Sequence, residues 1–198
     1  MNIKLNDFRK TVATSITGPL LPFLSRIGLT PDILTWIGLG INIIAAAIIA
    51  TNHLISGGIL VLFSGLFDIL DGALARFTNK STRFGALLDS TFDRLSEAFI
   101  LFGILILYIK DVHVLEILLI FSVMIGSFLT SYIRARAEGL GIECKTGLFT
   151  RAERVIILAL GLMLNQILIV LIILAVFAFI TVIQRLVHVW QETKRQAV

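Results

Sequence analysis

Four aspartates interrupt the apolar run of this chain, at Asp68, Asp71, Asp89 and Asp93. They fall in Asp68-Ile-Leu-Asp71-Gly72-Ala-Leu-Ala75-Arg76 and, eight residues on, Gly85-Ala-Leu-Leu-Asp89-Ser-Thr-Phe-Asp93. A carboxylate at membrane depth is costly and is usually kept for function. Spacings of three and four put each pair on one face of a helix. The polar stretch Thr78-Asn79-Lys80-Ser81-Thr82 predicts a turn between the helices. In an antiparallel hairpin reversing there, Asp71 stands level with Asp89 and Asp68 with Asp93. All four then meet just below the membrane surface. Gathered carboxylates repel unless protonated or neutralised. Hard divalent cations solve this, and magnesium is commonly completed by substrate phosphates. Two magnesium ions, or manganese in their place, would clamp a pyrophosphate for an in-line displacement. Gly72 would admit a ligand close to the backbone. Arg76, one turn on, offers a bidentate fork to phosphate. Gly85 would allow close helix approach. Asp93, farthest into the second helix, is the candidate general base. The competing reading is an ion or proton pathway, or carboxylates paired with Arg76, Arg83 and Arg94; it gives the glycines no role.

The elements that must position these groups are membrane helices. Hydrophobic residues make up 57% of the 198 and charged residues 15%, well short of the quarter usual in soluble domains. Apolar runs near bilayer length are expected at 33–51, 55–75, 86–109, 114–133, 152–165 and 167–188. The fifth is short, and it ends at a turn near Asn165-Gln166. The fold class expected is therefore all-α integral membrane, with six transmembrane helices preceded by an N-terminal cytoplasmic surface helix. A single domain over 1–198 is expected, with 1–29 a juxtamembrane amphipathic segment and 30–190 the six-helix bundle. Residues 3–27 would lie along the membrane surface, broken near Gly18-Pro19. Thr30-Pro31-Asp32 reads as a helix start, with Thr30 the cap and proline at the first position. Basic residues cluster in the N-terminal segment and at 76–83, 134–154 and 185–195. Six spans put all of these, both termini and the aspartates on the cytoplasmic side of the cell membrane. No cleavable signal is expected, because Asn6, Asp7, Arg9 and Lys10 interrupt any apolar region after the start. The single cysteine, Cys144, excludes an internal disulfide. The basic residues suit anionic lipid, and no nucleic-acid module is visible.

The aspartate string resembles, in full, the signature of the CDP-alcohol phosphotransferase family. The resemblance covers nearly the whole chain and implies six membrane helices after a surface helix, usually in a homodimer. It implies transfer of a phospholipid moiety from a CDP-linked lipid to an alcohol, with release of CMP. Carried over, Asp68, Asp71, Asp89 and Asp93 would bind two metals, and Asp93 would also deprotonate the acceptor hydroxyl. Gly72, Arg76 and Thr82 would hold the cytidine diphosphate, bordered by Pro31-Asp32-Ile33-Leu34, with Gly85 in the same donor site.

Arg134, Arg136, Arg151, Arg154 and Arg185 are a second constellation. Together they would form an anion pocket beside the metals, which a phosphorylated polyol acceptor needs and a neutral alcohol does not. The positive-inside rule alone also puts basic residues at these helix ends. The stretches Ser131–Glu138, Arg151-Ala-Glu-Arg154 and Gln184-Arg185 resemble those of phosphatidylinositol phosphate and archaetidylinositol phosphate synthases. That resemblance implies inositol 1-phosphate as acceptor, with Arg134 where many relatives carry lysine. Phosphatidylglycerophosphate synthase, acting on glycerol 3-phosphate, is the alternative. A membrane transporter with a buried acidic ion site is the alternative of another class, although the acidic cluster lies near one face rather than at the midplane. Glu97, one turn beyond Asp93 on the same face, is expected to pair with a nearby arginine or to support Asp93, the structural role being favoured. His53, His113 and His188 are expected at helix ends without catalytic roles, and Trp36 and Trp190 as interfacial anchors.

Overall fold

The computed structural model describes Gly18, residues 20–79 and residues 81–196. Among them are seven helices: α1 (Leu20–Arg26), α2 (Pro31–Ala50), α3 (Leu54–Phe77), α4 (Arg83–Ile109), α5 (Val114–Gly139), α6 (Arg151–Met163) and α7 (Ile167–Gln196). Most of the expected surface helix, residues 3–17 and Pro19, lies outside the described residues. The described remainder is the single short helix α1, none of whose residues is buried.

Local chemistry sets the helix starts around the aspartates. Thr30 caps α2, its Oγ1 accepting from the Ile33 N–H (3.4 Å), and Pro31 takes the first turn. Thr82 caps α4 in the same way, accepting from the Gly85 N–H at 2.8 Å. Thr150 opens α6 with a capping box to Glu153. The turn after α3 passes through Asn79 at φ 54°, a left-handed position that asparagine tolerates. Asn165, also at φ 54°, turns the chain between α6 and α7.

Helices α2, α3, α5 and α7 are long and apolar enough to cross a membrane. Helix α4 has 27 residues but carries Asp89, Asp93 and Arg94 in its first half and Glu97 at its middle. Helix α6 has 13 residues, about 20 Å at 1.5 Å per residue, against a hydrocarbon core of roughly 30 Å. The expected fifth span is thus a short helix that starts at charged Arg151 and stops at the Asn165 turn.

Packing explains how the aspartate hairpin is held open. Helix α2 lies against both α3 and α4, while α3 and α4 do not run flush against each other. A Cβ at Gly103 would stand 2.4 Å from the Ala46 carbonyl oxygen, so α4 meets α2 at backbone distance. Gly58 on α3 approaches Ala159 on α6 almost as closely, at 2.7 Å. Small residues at such crossings are the usual device for helix association in lipid. A core of Ala45, Ile49, Val61, Ile100, Ile104 and Leu158, among others, fills the space between these helices. The turn at 78–82 forms as the hairpin reading expects. The arms then diverge, because α2 rather than a direct α3–α4 seam ties them together, and α6 closes the other side of α3.

Candidate active site

Asp71 is buried, with 4% of its surface exposed. Its Oδ2 accepts from the Thr35 hydroxyl of α2 at 2.9 Å, and its Oδ1 lies 2.5 Å from the Gly72 N–H. Across the open hairpin, Arg151 Nη1 stands 2.7 Å from Asp68 Oδ2 and 2.5 Å from Asp93 Oδ1. One guanidinium of α6 therefore bridges the outer aspartates of α3 and α4. Asp93 also has Arg94 Nη1 at 4.0 Å. Asp89 lies within electrostatic reach of Asp68 and Asp71. Asp68 and Asp93 thus share Arg151, while Asp71 and Asp89 share a cavity wall. No three acidic, histidine or cysteine side chains among the described residues close on a single point. Mutual repulsion accounts for that: Arg151 draws Asp68 and Asp93 to itself, and Asp71 turns to Thr35.

The donor set suits a divalent cation. It consists of hard carboxylate oxygens with a neighbouring hydroxyl. Arg151 matches it only in part, since its Nε is buried without a hydrogen-bond partner. Gly72 supports the same fit. In mid-helix a glycine costs roughly 1 kcal/mol relative to alanine, and here no packing demands it. A Cβ would meet only the Arg76 guanidinium, at 3.5 Å. The space it leaves opens on the cavity.

Two cavities flank the carboxylates. The first, about 180 Å³, is walled by Pro31, Asp32, Gly72, Arg76, Thr82 and Gly85 together with Asp71 and Asp89. Thr35 and Ser81 also line it. Ile33 and Leu34, expected at its border, are elsewhere: Ile33 is exposed and Leu34 is in the core. Successive residues on a helix turn by 100°, so a helix that presents Pro31, Asp32 and Thr35 carries positions 33 and 34 away. The second cavity, about 540 Å³, is walled by Arg134, Arg151, Arg154 and Arg185 with Asp89 and Asp93. Arg94, Thr130 and Thr150 also line it. Arg136 does not. It is exposed, because two helical residues turn it about 200° from Arg134. Asp89 forms a wall of both cavities; Asp93 faces only the second.

The arginines of the second cavity are held differently. Arg154 is 4% exposed and pairs bidentately with Glu97, Nε to Oε1 at 2.7 Å and Nη2 to Oε2 at 2.8 Å. Arg185, 7% exposed, donates from Nε to the Thr146 carbonyl (2.9 Å) and from Nη1 to the Thr130 carbonyl. Arg134 is half exposed and donates to Glu138, four residues along the same helix, at 2.8 Å. The loop from 140 to 150 that leads into this site is strapped to α7. His188 Nε2 stands 3.0 Å from the Glu143 carbonyl oxygen, and the Leu148 N–H donates to Gln184 at 3.1 Å. Glu143 itself is exposed, and the Lys145 ammonium beside it holds its carboxyl below the usual range.

Residues 28–190 match the CDP-alcohol phosphatidyltransferase family. The chain belongs to that family. Family membership makes the chain a transferase of phospholipid synthesis and sets aside the transporter reading. An archaetidylinositol phosphate synthase of Methanothermobacter thermautotrophicus is 38% identical over 196 residues, spanning 96% of each chain. The crystal structure of Mycobacterium tuberculosis phosphatidylinositol phosphate synthase with CDP-DAG bound superposes with a TM-score of 0.81 at 35% identity, covering 89% of this chain and 94% of that one. A second structure of the mycobacterial enzyme, in complex with manganese and citrate, gives a TM-score of 0.80 at 36% identity over 88% of each chain. The fold of this phosphatidyltransferase is therefore shared with solved enzymes over nearly its whole length.

Thr35 is the wall residue that spacing arguments pass over. Its signal was present: a hydroxyl four residues after Pro31, on the same helix face, in an otherwise apolar stretch. Nothing in local spacing points Arg94 at the second cavity, which it lines.

Proposed function

We propose that this enzyme transfers a phosphatidyl-type group from a CDP-linked lipid, CDP-diacylglycerol or CDP-archaeol, to inositol 1-phosphate and releases CMP. The observation that carries this reading is the pair of cavities sharing Asp89, with Asp93 turned only to the arginine-lined one. The donor diphosphate lies in the first cavity against Gly72 and Arg76, with Thr82 and Asp32 at its rim and the nucleoside extending beyond. The acceptor phosphate lies in the second, against Arg151, Arg154 and Arg185. Its hydroxyl then meets the donor at the shared wall. The hydroxyl oxygen bonds to the phosphorus that carries the lipid alcohol, the bond from that phosphorus to the bridging oxygen breaks, and CMP leaves. Asp93 takes the hydroxyl proton. Asp68, Asp71, Asp89 and Asp93 would hold two magnesium ions, or manganese in their place, which would supply charge neutralisation at the diphosphate. The manganese in the mycobacterial structure supports a divalent cation here.

In this reading α4 and α6 join the four long apolar helices to give six membrane passes. The site and both termini then face the cytoplasm across the cell membrane, and two copies form a homodimer. A cysteine introduced at Asp111, in the α4–α5 turn, should react with an impermeant maleimide on intact cells, while one at Lys194 should not. The function itself is tested by CMP release from purified protein with magnesium, CDP-lipid and separate acceptors. Inositol 1-phosphate should support turnover and free inositol should not. Turnover with glycerol 3-phosphate alone would assign the enzyme to phosphatidylglycerophosphate synthesis instead.

A further inference from the structure

Glu97 sits one turn below Asp93 on α4 and is 5% exposed, too deep to touch either substrate. It makes a fork-to-fork pair with Arg154 of α6, at 2.7 and 2.8 Å. The same Arg154 Nη2 donates to Ser127 Oγ of α5 at 2.8 Å. Three helices therefore converge on one guanidinium. A guanidinium has five N–H donors. Nε and both positions of Nη2 are engaged by Glu97 and Ser127, which leaves Nη1. Arg154 lines the arginine-walled cavity, and Nη1 is not among the buried unpartnered atoms of the described residues. Nη1 is thus the edge of the group presented to that cavity.

We propose that Glu97 and Ser127 are positioning residues for acceptor recognition: they lock the Arg154 guanidinium so that Nη1 faces the acceptor phosphate. The inference rests on the assignment of the second cavity to the acceptor. Stability alone is a poor reason to keep this network. A buried arginine–carboxylate pair loses much of its attraction to desolvation, and apolar residues of similar volume often serve as well or better. What an apolar pair cannot do is present a fixed donor edge to an anion. Arg185 provides the contrast. Two backbone carbonyls, of Thr146 and Thr130, already hold its Nε and Nη1, so it needs no side-chain partner. Among the described residues no backbone carbonyl hydrogen-bonds the Arg154 guanidinium, and a carboxylate and a hydroxyl take that role. A preset donor spares the ordering cost that a mobile arginine pays at each binding event.

The test compares Michaelis constants for the two substrates. Ser127→Ala removes one charge-assisted hydrogen bond. It should raise the acceptor KM about 3- to 10-fold, leave the CDP-lipid KM within about twofold, and lower kcat far less than the acceptor affinity. Glu97→Gln removes the charge that holds the fork and should raise the acceptor KM roughly 10- to 100-fold with the same asymmetry. Should Glu97→Gln fail to fold, Ser127→Ala carries the decision alone. An acceptor KM unchanged in folded Ser127→Ala, or equal rises in both Michaelis constants, would reduce the network to a structural tie and overturn the proposal. Failure of the functional reading looks different. Wild-type enzyme would then release CMP with an acceptor other than inositol phosphate, and the same comparison would be made with that acceptor.

Discussion

The walls of the first cavity carry three carboxylates, Asp32, Asp71 and Asp89, against one guanidinium, Arg76. The walls of the second carry five arginines, 94, 134, 151, 154 and 185, against Asp89, Asp93 and Glu138. One site is thus negative by two charges and the other positive by two, with Asp89 counted in both. A diphosphate entering the first meets net repulsion unless cations enter with it. A phosphate monoester entering the second meets five guanidinia already on the wall, with Arg134, Arg151 and Arg154 held by carboxylates. The difference extends to construction. The first cavity draws only on residues 31 to 89, from α2, α3 and the start of α4. The second takes side chains from α4, α5, α6 and α7. A site that relies on mobile ions can be built from a compact motif, whereas a site that supplies its own charge must gather arginines from distant segments and bury them against partners.

Three perturbations test this contrast, beginning with the largest effect. Asp93→Asn removes the only one of the four aspartates that faces the second cavity alone. It should lower kcat by about a thousandfold, within the range for loss of a general base, with CMP affinity within a few-fold of wild type. Full activity in this variant would remove Asp93 from the proton transfer. Chelation of divalent cations comes next. It should weaken CMP binding at least about tenfold by calorimetry, and inositol 1-phosphate binding by less than about threefold, since a tenfold change corresponds to only 1.4 kcal/mol. Equal losses at both sites would dissolve the distinction drawn from wall charge. Gly72→Ala acts on the first cavity without adding or removing charge. Alanine favours a helix by roughly 1 kcal/mol over glycine, so Tm should stay level or rise by about 2–4 °C. The CDP-lipid KM should nevertheless increase about fivefold, because a methyl group then occupies the approach to the backbone. A lower Tm together with an unchanged KM would mean that Gly72 serves packing.

The same contrast explains what could be read from the chain. Asp71, Gly72, Arg76 and Asp89 lie within one helix–turn–helix, and helical periodicity with a turn signal suffices to place them near one another, as on the wall of the first cavity. Thr30 and Pro31 identify the start of α2 by the same local rules, and the structure keeps both. Ile33 and Leu34 fail because a contiguous four-residue segment cannot all face one way on a helix. The second cavity was only partly legible. Its arginines stand out by charge, but which of them face inward depends on how α5, α6 and α7 cross, and no local pattern encodes that. The bridging of Asp68 and Asp93 by Arg151, more than fifty residues away from either, lies beyond any spacing argument. That α2 packs against both α3 and α4 and separates the arms of the hairpin is a tertiary contact that no local spacing encodes.

Arg134 and Arg136 give the smallest and most discriminating comparison. Both end the same helix, and the positive-inside rule treats them alike. The structure does not: Arg134 is on the cavity wall, and Arg136 points away from it. Yet Arg134 is half exposed and already engaged with Glu138. An exposed pair of this kind contributes about 0–1 kcal/mol, and the nearby solvent screens its field at the phosphate. Arg134→Gln should therefore raise the acceptor KM by roughly two- to threefold, and that rise should shrink as salt is added. Arg136→Gln should leave both Michaelis constants unchanged. Matching effects from the two would mean that only overall positive charge at this membrane face matters. A separation between them, smaller than the effect at Arg154, would show that the acceptor is read by position on the wall, with buried and partnered guanidinia contributing most.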